Sequence, residues 1–155
     1  MIESLFGSIE DHAFLGLFIT SFLASTILPL GSEALVVLLI SKGFDTPSVI
    51  MVASIGNYLG ACTTYYIGLR GRMDIIERFF SISKKQLEKA DQLFAKYGTF
   101  LLLLTWLPLI GDAIAATGGL LKLDFKSFSI YVFIGKTARY AALAYITLTT
   151  LASIQ

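Results

Sequence analysis

The stretch TILPLGSEA at residues 26–34 decides the fold, because a proline, a glycine and a carboxylate interrupt an otherwise apolar run there. A near copy, TWLPLIGDA, follows 79 residues later at residues 105–113. Broken backbone at membrane depth persists only where protein or a water-filled cavity covers it. Each break therefore predicts a re-entrant hairpin, whose two short helical arms enter and leave the bilayer on one side. The residues that break the helices are Pro29, Gly31, Pro108 and Gly111.

The same 79-residue spacing aligns the rest of the two halves without a gap. It pairs Asp45 with Asp124 in a turn, and Gly56 with Gly135 in a second apolar run. Apolar composition alone would not align a proline, an acid, a turn and a glycine in one register. We therefore expect a single membrane domain over residues 1–155 that contains an internal repeat. Its predicted parts are a first repeat at about 13–69, an amphipathic linker at 70–98 and a second repeat at about 99–148.

Composition places the chain among all-α integral membrane proteins. Only 15% of its residues are charged, whereas soluble domains carry about a quarter. The runs 48–69 and 127–148 are each long enough to span a bilayer, since about 20 residues suffice. A net charge of +1 gives no reason to expect a nucleic-acid partner. We expect the N-terminal segment to be retained, because residues 1–12 contain three acids and no lysine or arginine, unlike a cleavable signal.

The chain contains one cysteine, Cys62, and one histidine, His12. A disulfide within the chain and a metal site built on cysteines are therefore not expected. The sequence also contains no nucleophile elbow, phosphate-binding loop or zinc-binding histidine pair. We predict that the protein is not an enzyme and binds no metal or other cofactor.

Residues 70–98 combine many basic side chains with one apolar helical face. Ser83 and Gln86 are spaced as a capping box at the start of a helix. The pattern predicts an amphipathic helix that lies on the membrane surface, and a soluble linker helix is the alternative. The apolar face consists of Leu87, Ala90, Phe94 and Tyr97.

The number of membrane crossings decides how the two halves are related. A hairpin plus one span crosses once, so the second half is inverted relative to the first, as in many transporters. One side then carries the seven basic residues of the linker together with Lys122 and Lys126, and the other carries only Lys42. With four full crossings the split is seven against three. The positive-inside rule favours the inverted arrangement, with the linker in the cytoplasm and both termini outside.

Four ionisable residues lie deep in apolar sequence, and they are Glu33, Asp112, Lys136 and Arg139. A charge at the bilayer centre costs roughly 2.5 to 3.5 kcal/mol on insertion scales, so two acids and two bases gain by compensating one another. We infer that all four converge on one central polar site, lined also by Asn57, the repeat mate of Lys136. Buried ion pairs that only specify packing are the alternative interpretation.

The stretches GNYLG at residues 56–60 and YYIGLRG at residues 65–71 resemble the DedA family, also called SNARE-associated Golgi or VTT-domain proteins. The first break and the run from Lys96 to Pro108 share this similarity, which covers nearly the whole chain and is greatest to the short YqaA-like branch. The resemblance implies paired re-entrant hairpins in inverted repeats. It also implies lipid traffic, with recycling of undecaprenyl phosphate across the bacterial inner membrane linked to the proton-motive force, and lipid scrambling in eukaryotic relatives.

Two features of the family pattern bear on the site. Glu33 matches the acidic residue that the family carries in the first hairpin. Many members also carry arginines beside the second proline, near the positions of Thr105 and Gly111 in this chain. Here Asp112 occupies that region and the basic residues lie on the next helix, so the resemblance leaves the lipid substrate open.

The first functional hypothesis is a proton-coupled transporter or flippase of an anionic lipid in the inner membrane. Glu33 and Asp112 would respond to protons, because a carboxyl group in low dielectric gains proton affinity. Lys136 and Arg139 would bind the head group, which belongs to an undecaprenyl-phosphate-like lipid or a phospholipid. A structural or interaction protein for membrane homeostasis and a transporter of small solutes or ions are the alternatives. The small size of the bundle also suggests a homodimer.

Overall fold

The computed structural model describes residues 2–25, 31–71, 73–79, 82–108 and 110–154, and every regular element in these ranges is a helix. The all-α class predicted from the sequence is confirmed for this part of the chain. In order, the elements are α1 (Ile2–Ala24), α2 (Gly31–Ser41), α3 (Thr46–Leu69), α4 (Met73–Phe79), α5 (Lys84–Tyr97), a 3₁₀ helix (Gly98–Trp106), α6 (Gly111–Leu120) and α7 (Phe125–Ile154).

The two longest helices, α3 and α7, begin at equivalent aspartates. Asp45 Oδ2 accepts a hydrogen bond of 2.9 Å from the Ser48 amide, and Asp124 Oδ2 accepts one of 2.9 Å from the Ser127 amide. Each carboxylate satisfies an amide that the first helical turn leaves without a partner. These hydrogen bonds hold the pKa of both aspartates below its usual range. The turn predicted in each half is therefore the start of its long helix.

The arms of the two predicted hairpins are in contact. Helix α1 packs against α2, and the 3₁₀ helix packs against α6. Helix α3 packs against α1 and α6, whereas α7 packs against the 3₁₀ helix and α2. Each long helix thus contacts arms from both halves, which ties the two halves into one bundle.

Helices α3 and α7 run antiparallel to each other. Val49 near the start of α3 shares one apolar cluster with Tyr140 in the second half of α7. Tyr65 near the end of α3 packs against Phe128 near the start of α7, in a second cluster. The midpoints of both helices lie between these two clusters. Asn57 of α3 and Lys136 of α7 are buried in this middle region.

Gly56 and Gly60, spaced as a helix-contact motif, lie where α3 meets α1. A Cβ atom at Gly56 would lie 2.6 Å from the Phe18 carbonyl oxygen, and one at Gly60 would lie 2.6 Å from the Phe22 carbonyl oxygen. Only glycine allows the two backbones to approach this closely. The pair therefore forms a close backbone contact between α3 and α1.

The helix break of the second half follows the prediction. Pro108 lies in the turn between the 3₁₀ helix and α6, and Gly111 is the first residue of α6. A side chain at Gly111 would overlap the carbonyl oxygen of Thr105, so this turn requires glycine. In the first half, Gly31 begins α2, while Pro29 lies outside the described residues.

One arm of the second hairpin differs from an α-helix. Residues 98–106 form a 3₁₀ helix, and runs of more than about four residues in this conformation are uncommon. The sequence pattern predicted a short helical arm but contained no signal for its narrower winding.

The linker departs from the sequence prediction. It forms two helices, and the capping box of Ser83 and Gln86 starts the second, α5, as predicted. The apolar face of α5 packs against α6 and the 3₁₀ helix, so it is not free to lie on a membrane. The prediction is corrected because apolar partners within the protein cover this face. Its buried members are Leu87, Ala90 and Phe94, while Tyr97 is exposed.

Among the described helices, none is both long enough and apolar enough to cross a membrane. The two spans predicted at 48–69 and 127–148 form the helices α3 and α7.

Candidate functional site

A set of polar side chains lies where the midpoints of α3 and α7 meet. Lys136 Nζ donates hydrogen bonds to Ser25 Oγ at 3.1 Å and to Asn57 Oδ1. Ser25 Oγ donates to Asp112 Oδ1 at 3.3 Å. An unpaired ammonium group in an apolar interior is strongly unfavourable, so these contacts allow Lys136 to be only 2% exposed. We call Ser25, Asn57, Asp112 and Lys136 the polar network.

Asn57 and Lys136, which the sequence predicts to be repeat mates, contact each other. They are 79 residues apart, which is the spacing of the predicted repeat. Residues related by a two-fold axis contact each other only where the axis passes between them. This contact is therefore the position expected for such an axis. Asn57 Nδ2 also donates to the Ser21 carbonyl oxygen at 3.1 Å, which turns Asn57 Oδ1 toward Lys136.

The two broken segments each supply one residue to the polar network. Asp112 lies in the first turn of α6, where the helix dipole favours a carboxylate. Ser25 follows the last residue of α1 and directly precedes the first break. Ser25 contacts Lys136 directly, and Asp112 is connected to Lys136 through the Ser25 hydroxyl.

Glu33 and Arg139 form an ion pair beside the polar network. The Arg139 guanidinium contacts Glu33 Oε1, and the two side chains are 20% and 21% exposed respectively. Glu33 lies in the first turn of α2. The hydroxyls of Ser32 and Tyr140 share a hydrogen bond of 2.8 Å next to the pair, which fixes the start of α2 against α7. Unlike Lys136, Arg139 is accessible from outside the protein.

An apolar groove of about 380 Å³ runs along the Glu33–Arg139 pair. Trp106 and Ile146, two of the residues that line it, are 37% and 59% exposed, so the groove opens on the outer surface of the bundle. Its other apolar lining residues include Ala138, Ala142 and Leu143.

A small cavity of about 20 Å³ lies against the polar network and is also lined by Pro108. This volume is enough for about one water molecule. Arg139 lines both this cavity and the apolar groove. It is therefore the side chain that links the exposed groove to the interior of the site.

The structure divides the four predicted ionisable residues into two sets. Lys136 and Asp112 belong to the polar network, whereas Arg139 and Glu33 form the ion pair, and the sets meet at the small cavity. The two acids, predicted as one pair, thus contact different partners because α2 and α6 reach α7 at different positions. Lys136, predicted to bind a head group together with Arg139, does not line the groove. Asn57 lines the small cavity, as predicted for the central site.

The sequence pattern did not single out Ser25 and Tyr140. A serine placed directly before a proline-containing break is a local signal that would have identified Ser25. Tyr140 contacts Ser32 across 108 residues, and no spacing rule predicts such a contact. Trp106 lines the groove.

Several known proteins have similar sequences, and those whose names give a location are membrane proteins. The VTT domain model matches residues 5–149. An uncharacterized protein of Haemophilus influenzae is 37% identical over 139 residues, which cover 84% of this chain and 85% of that protein. The inner membrane protein YqaA of Escherichia coli is 33% identical over 138 residues, which cover 87% and 91%. The uncharacterized membrane protein YkoX of Bacillus subtilis is 34% identical over 126 residues, which cover 78% and 55%. No solved structure matches the chain.

These matches extend over both broken segments, both long helices and the linker. The resemblance predicted from residues 56–60 and 65–71 is confirmed. The chain is a membrane protein that belongs to the VTT-domain family, in the YqaA-like branch of the DedA proteins.

Proposed function

We propose that this protein is a proton-coupled transporter of an anionic lipid, and that it acts by transport and not as an enzyme. The position of Arg139 supports this function most directly. Its guanidinium lines an apolar groove of about 380 Å³ and is held by a partly exposed ion pair. A cation beside an apolar groove matches a molecule with one charged head group and a hydrocarbon chain.

The chemistry of the groove indicates the class of lipid. Its volume lies in the range of about 300 to 1,000 Å³ that is typical of small-ligand sites. Ala142, Leu143 and Ile146 would contact a hydrocarbon chain. Arginine binds phosphate oxygens in a bidentate manner. The proposed substrate is therefore a phosphate-bearing lipid, either an undecaprenyl-phosphate-like carrier or an anionic phospholipid.

Glu33 provides the coupling to protons in this proposal. Its carboxylate occupies the anion-binding position on Arg139, so an incoming head group must displace it. The released carboxylate lies in largely apolar surroundings, where the protonated form is favoured. One lipid anion and one proton are thus bound together, and release of the lipid restores the ion pair and frees the proton.

We propose the inverted-repeat arrangement for this fold in the inner membrane. Each half would contribute one re-entrant hairpin and one crossing helix, α3 or α7. The antiparallel course of these helices, their equivalent aspartate caps and the contact between Asn57 and Lys136 support this arrangement. The basic linker would lie in the cytoplasm, and both termini would lie outside.

Reconstitution of the purified protein into vesicles tests the proposed function. The measurement is the rate at which a labelled anionic phospholipid crosses the bilayer under an imposed pH gradient, compared with a zwitterionic analogue. We expect the wild type to accelerate the anionic lipid preferentially. Arg139→Ala should abolish this preference, whereas Arg70→Ala removes an exposed arginine outside the groove and should leave it intact.

The other functional hypotheses predict different outcomes of this experiment. A folded wild-type protein that moves no lipid would favour a structural or interaction role. Transport of soluble anions without lipid movement would favour a small-solute transporter. Equal lipid rates in the wild type and Arg139→Ala would contradict the assignment of the groove.

A further inference from the structure

The polar network contains a chain of two hydrogen bonds that runs in one direction, from Lys136 through Ser25 to Asp112. Lys136 Nζ donates to Ser25 Oγ, and Ser25 Oγ donates to Asp112 Oδ1, at 3.1 Å and 3.3 Å. The Ser25 hydroxyl therefore accepts from a cationic donor and donates to a carboxylate at the same time. Ser25 is 1% exposed, so bulk water does not compete for either contact.

The other hydrogen bond of Lys136 offers no route for a proton. Asn57 Oδ1 accepts from Lys136, and Asn57 Nδ2 is engaged with the Ser21 carbonyl oxygen at 3.1 Å. A side-chain amide has no protonation equilibrium in the physiological range. Asn57 therefore holds Lys136 in place, and Ser25 is its hydroxyl partner in the polar network.

We propose that the Ser25 hydroxyl relays a proton between Lys136 and Asp112, as the internal step of the proton coupling described above. This inference rests on the proposed function. In the forward step, an N–H bond of the Lys136 ammonium breaks as its proton binds Ser25 Oγ, and the original Ser25 O–H proton passes to Asp112 Oδ1. The products are a neutral amine, an intact hydroxyl and a carboxylic acid, so charge and protons balance. The reverse step restores the Lys136 ammonium and the Asp112 carboxylate.

The remaining charged and titratable groups around Lys136 are placed to modulate this step. Arg139 lies one turn further along α7 and lines the same small cavity. The buried thiol of Cys62 lies on α3, the helix that also carries Asn57. Glu33, on α2, reaches the site through its contact with Arg139. When a lipid head group displaces Glu33 from Arg139, the electrostatic field at the polar network changes, which links groove occupancy to the relay.

Time-resolved infrared spectroscopy of the full-length protein in vesicles tests the relay without any transport assay. After a rapid drop in pH, the carboxyl C=O absorption that disappears in Asp112→Asn reports protonation of Asp112. We expect Ser25→Ala to slow this protonation by about a hundredfold, the lower end of what a positioned proton-transfer group contributes. Ser25→Thr, which keeps a hydroxyl, should remain close to the wild type.

Two further variants separate proton transfer from packing. Ser25→Cys keeps the size of the side chain but provides only a weak donor, so an intermediate rate is expected. Ser54→Ala is the matched control, because Ser54 is equally buried and its hydroxyl has no hydrogen-bond partner among the described residues. This variant should protonate Asp112 at the wild-type rate.

Several results would overturn the relay. They are a wild-type rate in Ser25→Ala, equal slowing in Ser25→Ala and Ser25→Thr, or the lack of any pH-dependent absorption from Asp112. Failure of the proposed function gives a different result, in which the wild type moves no lipid while the infrared kinetics still depend on the Ser25 hydroxyl. Lipid transport with unchanged infrared kinetics in Ser25→Ala removes the relay alone.

Discussion

At the residue scale, the two cations of α7, Lys136 and Arg139, differ in their exposure and in their contacts. Lys136 is 2% exposed and directs its donors toward Ser25 and Asn57. Arg139 is 20% exposed and contacts Glu33 at the edge of the groove. Because they lie three positions apart, the two side chains leave α7 on neighbouring parts of one face. This difference in exposure is the reason that we propose an internal role for Lys136 and ligand binding for Arg139.

Substitution of Lys136 by an apolar residue should destabilise the protein. Lys136→Met removes the cation next to Asp112, and breaking a buried charge pair on one side costs about 3 to 5 kcal/mol. The double variant Lys136→Met with Asp112→Asn removes both charges and should recover most of that loss. Thermal unfolding of both variants in detergent measures the effect. A single variant as stable as the wild type would show that the polar network does not compensate this charge.

At the element scale, helix packing depends on individual glycines. A Cβ atom at Gly119 would overlap the Tyr65 carbonyl oxygen, so α6 and α3 touch through their backbones there. A Cβ atom at the adjacent Gly118 would meet only side-chain atoms at 3.5 Å or more. Gly118 and Gly119 are neighbours in the sequence, but only Gly119 lies against the backbone of another helix.

Alanine at these two positions should have opposite effects. Gly119→Ala forces α6 away from α3 and should lower the unfolding temperature. Gly118→Ala fits without a clash and removes a poor helix former, which gains up to about 1 kcal/mol in a helix interior. The unfolding temperatures of the two variants decide between these expectations. Equal destabilisation by both would contradict the close contact at Gly119.

The aspartate caps of α3 and α7 should make stability depend on pH. The pKa of Asp45 and of Asp124 is lower in the folded protein, because each accepts hydrogen bonds from a serine. Their stabilising contribution is thus present above the unfolded pKa of about 3.9 and is lost as pH falls through the folded pKa. Asn is also a good cap but does not titrate, so Asp45→Asn should flatten the acid-induced decrease in unfolding temperature. The double variant Asp45→Asn with Asp124→Asn should flatten it further. If its unfolding temperature fell with pH as steeply as that of the wild type, the caps would not be the cause of the pH dependence.

At the scale of the whole molecule, local features can be predicted from the sequence, whereas contacts between distant segments cannot. Breaks, caps and the capping box are local, so a few residues of pattern suffice to predict them. The contact of Ser25 with Asp112 spans 87 residues and depends on how α1 and α6 pack against α7. No periodicity carries that information. The apolar face of α5 was predicted, but whether protein or membrane covers it follows only from the packed structure.

Labelling from each side of the membrane tests the inverted arrangement. Lys42 and Lys126 are exposed residues near the starts of α3 and α7. In a Cys62→Ala background, Lys42→Cys should react with an impermeant thiol reagent from outside the cell, and Lys126→Cys only from the cytoplasm. The seven-against-three model with four full crossings places both residues on the same side. Reaction of both cysteines from one side would therefore contradict the inverted repeat.

Exchange of Glu33 for a lipid head group on Arg139 is tested most directly by lipid affinity. Glu33→Gln removes the competing carboxylate but keeps the shape of the side chain. The measurement is the binding of an anionic phospholipid to the purified protein at neutral pH. We predict that Glu33→Gln binds about tenfold more tightly than the wild type, which is about 1.4 kcal/mol, and that its affinity no longer increases as pH falls. Unchanged or weaker binding by Glu33→Gln would contradict the exchange.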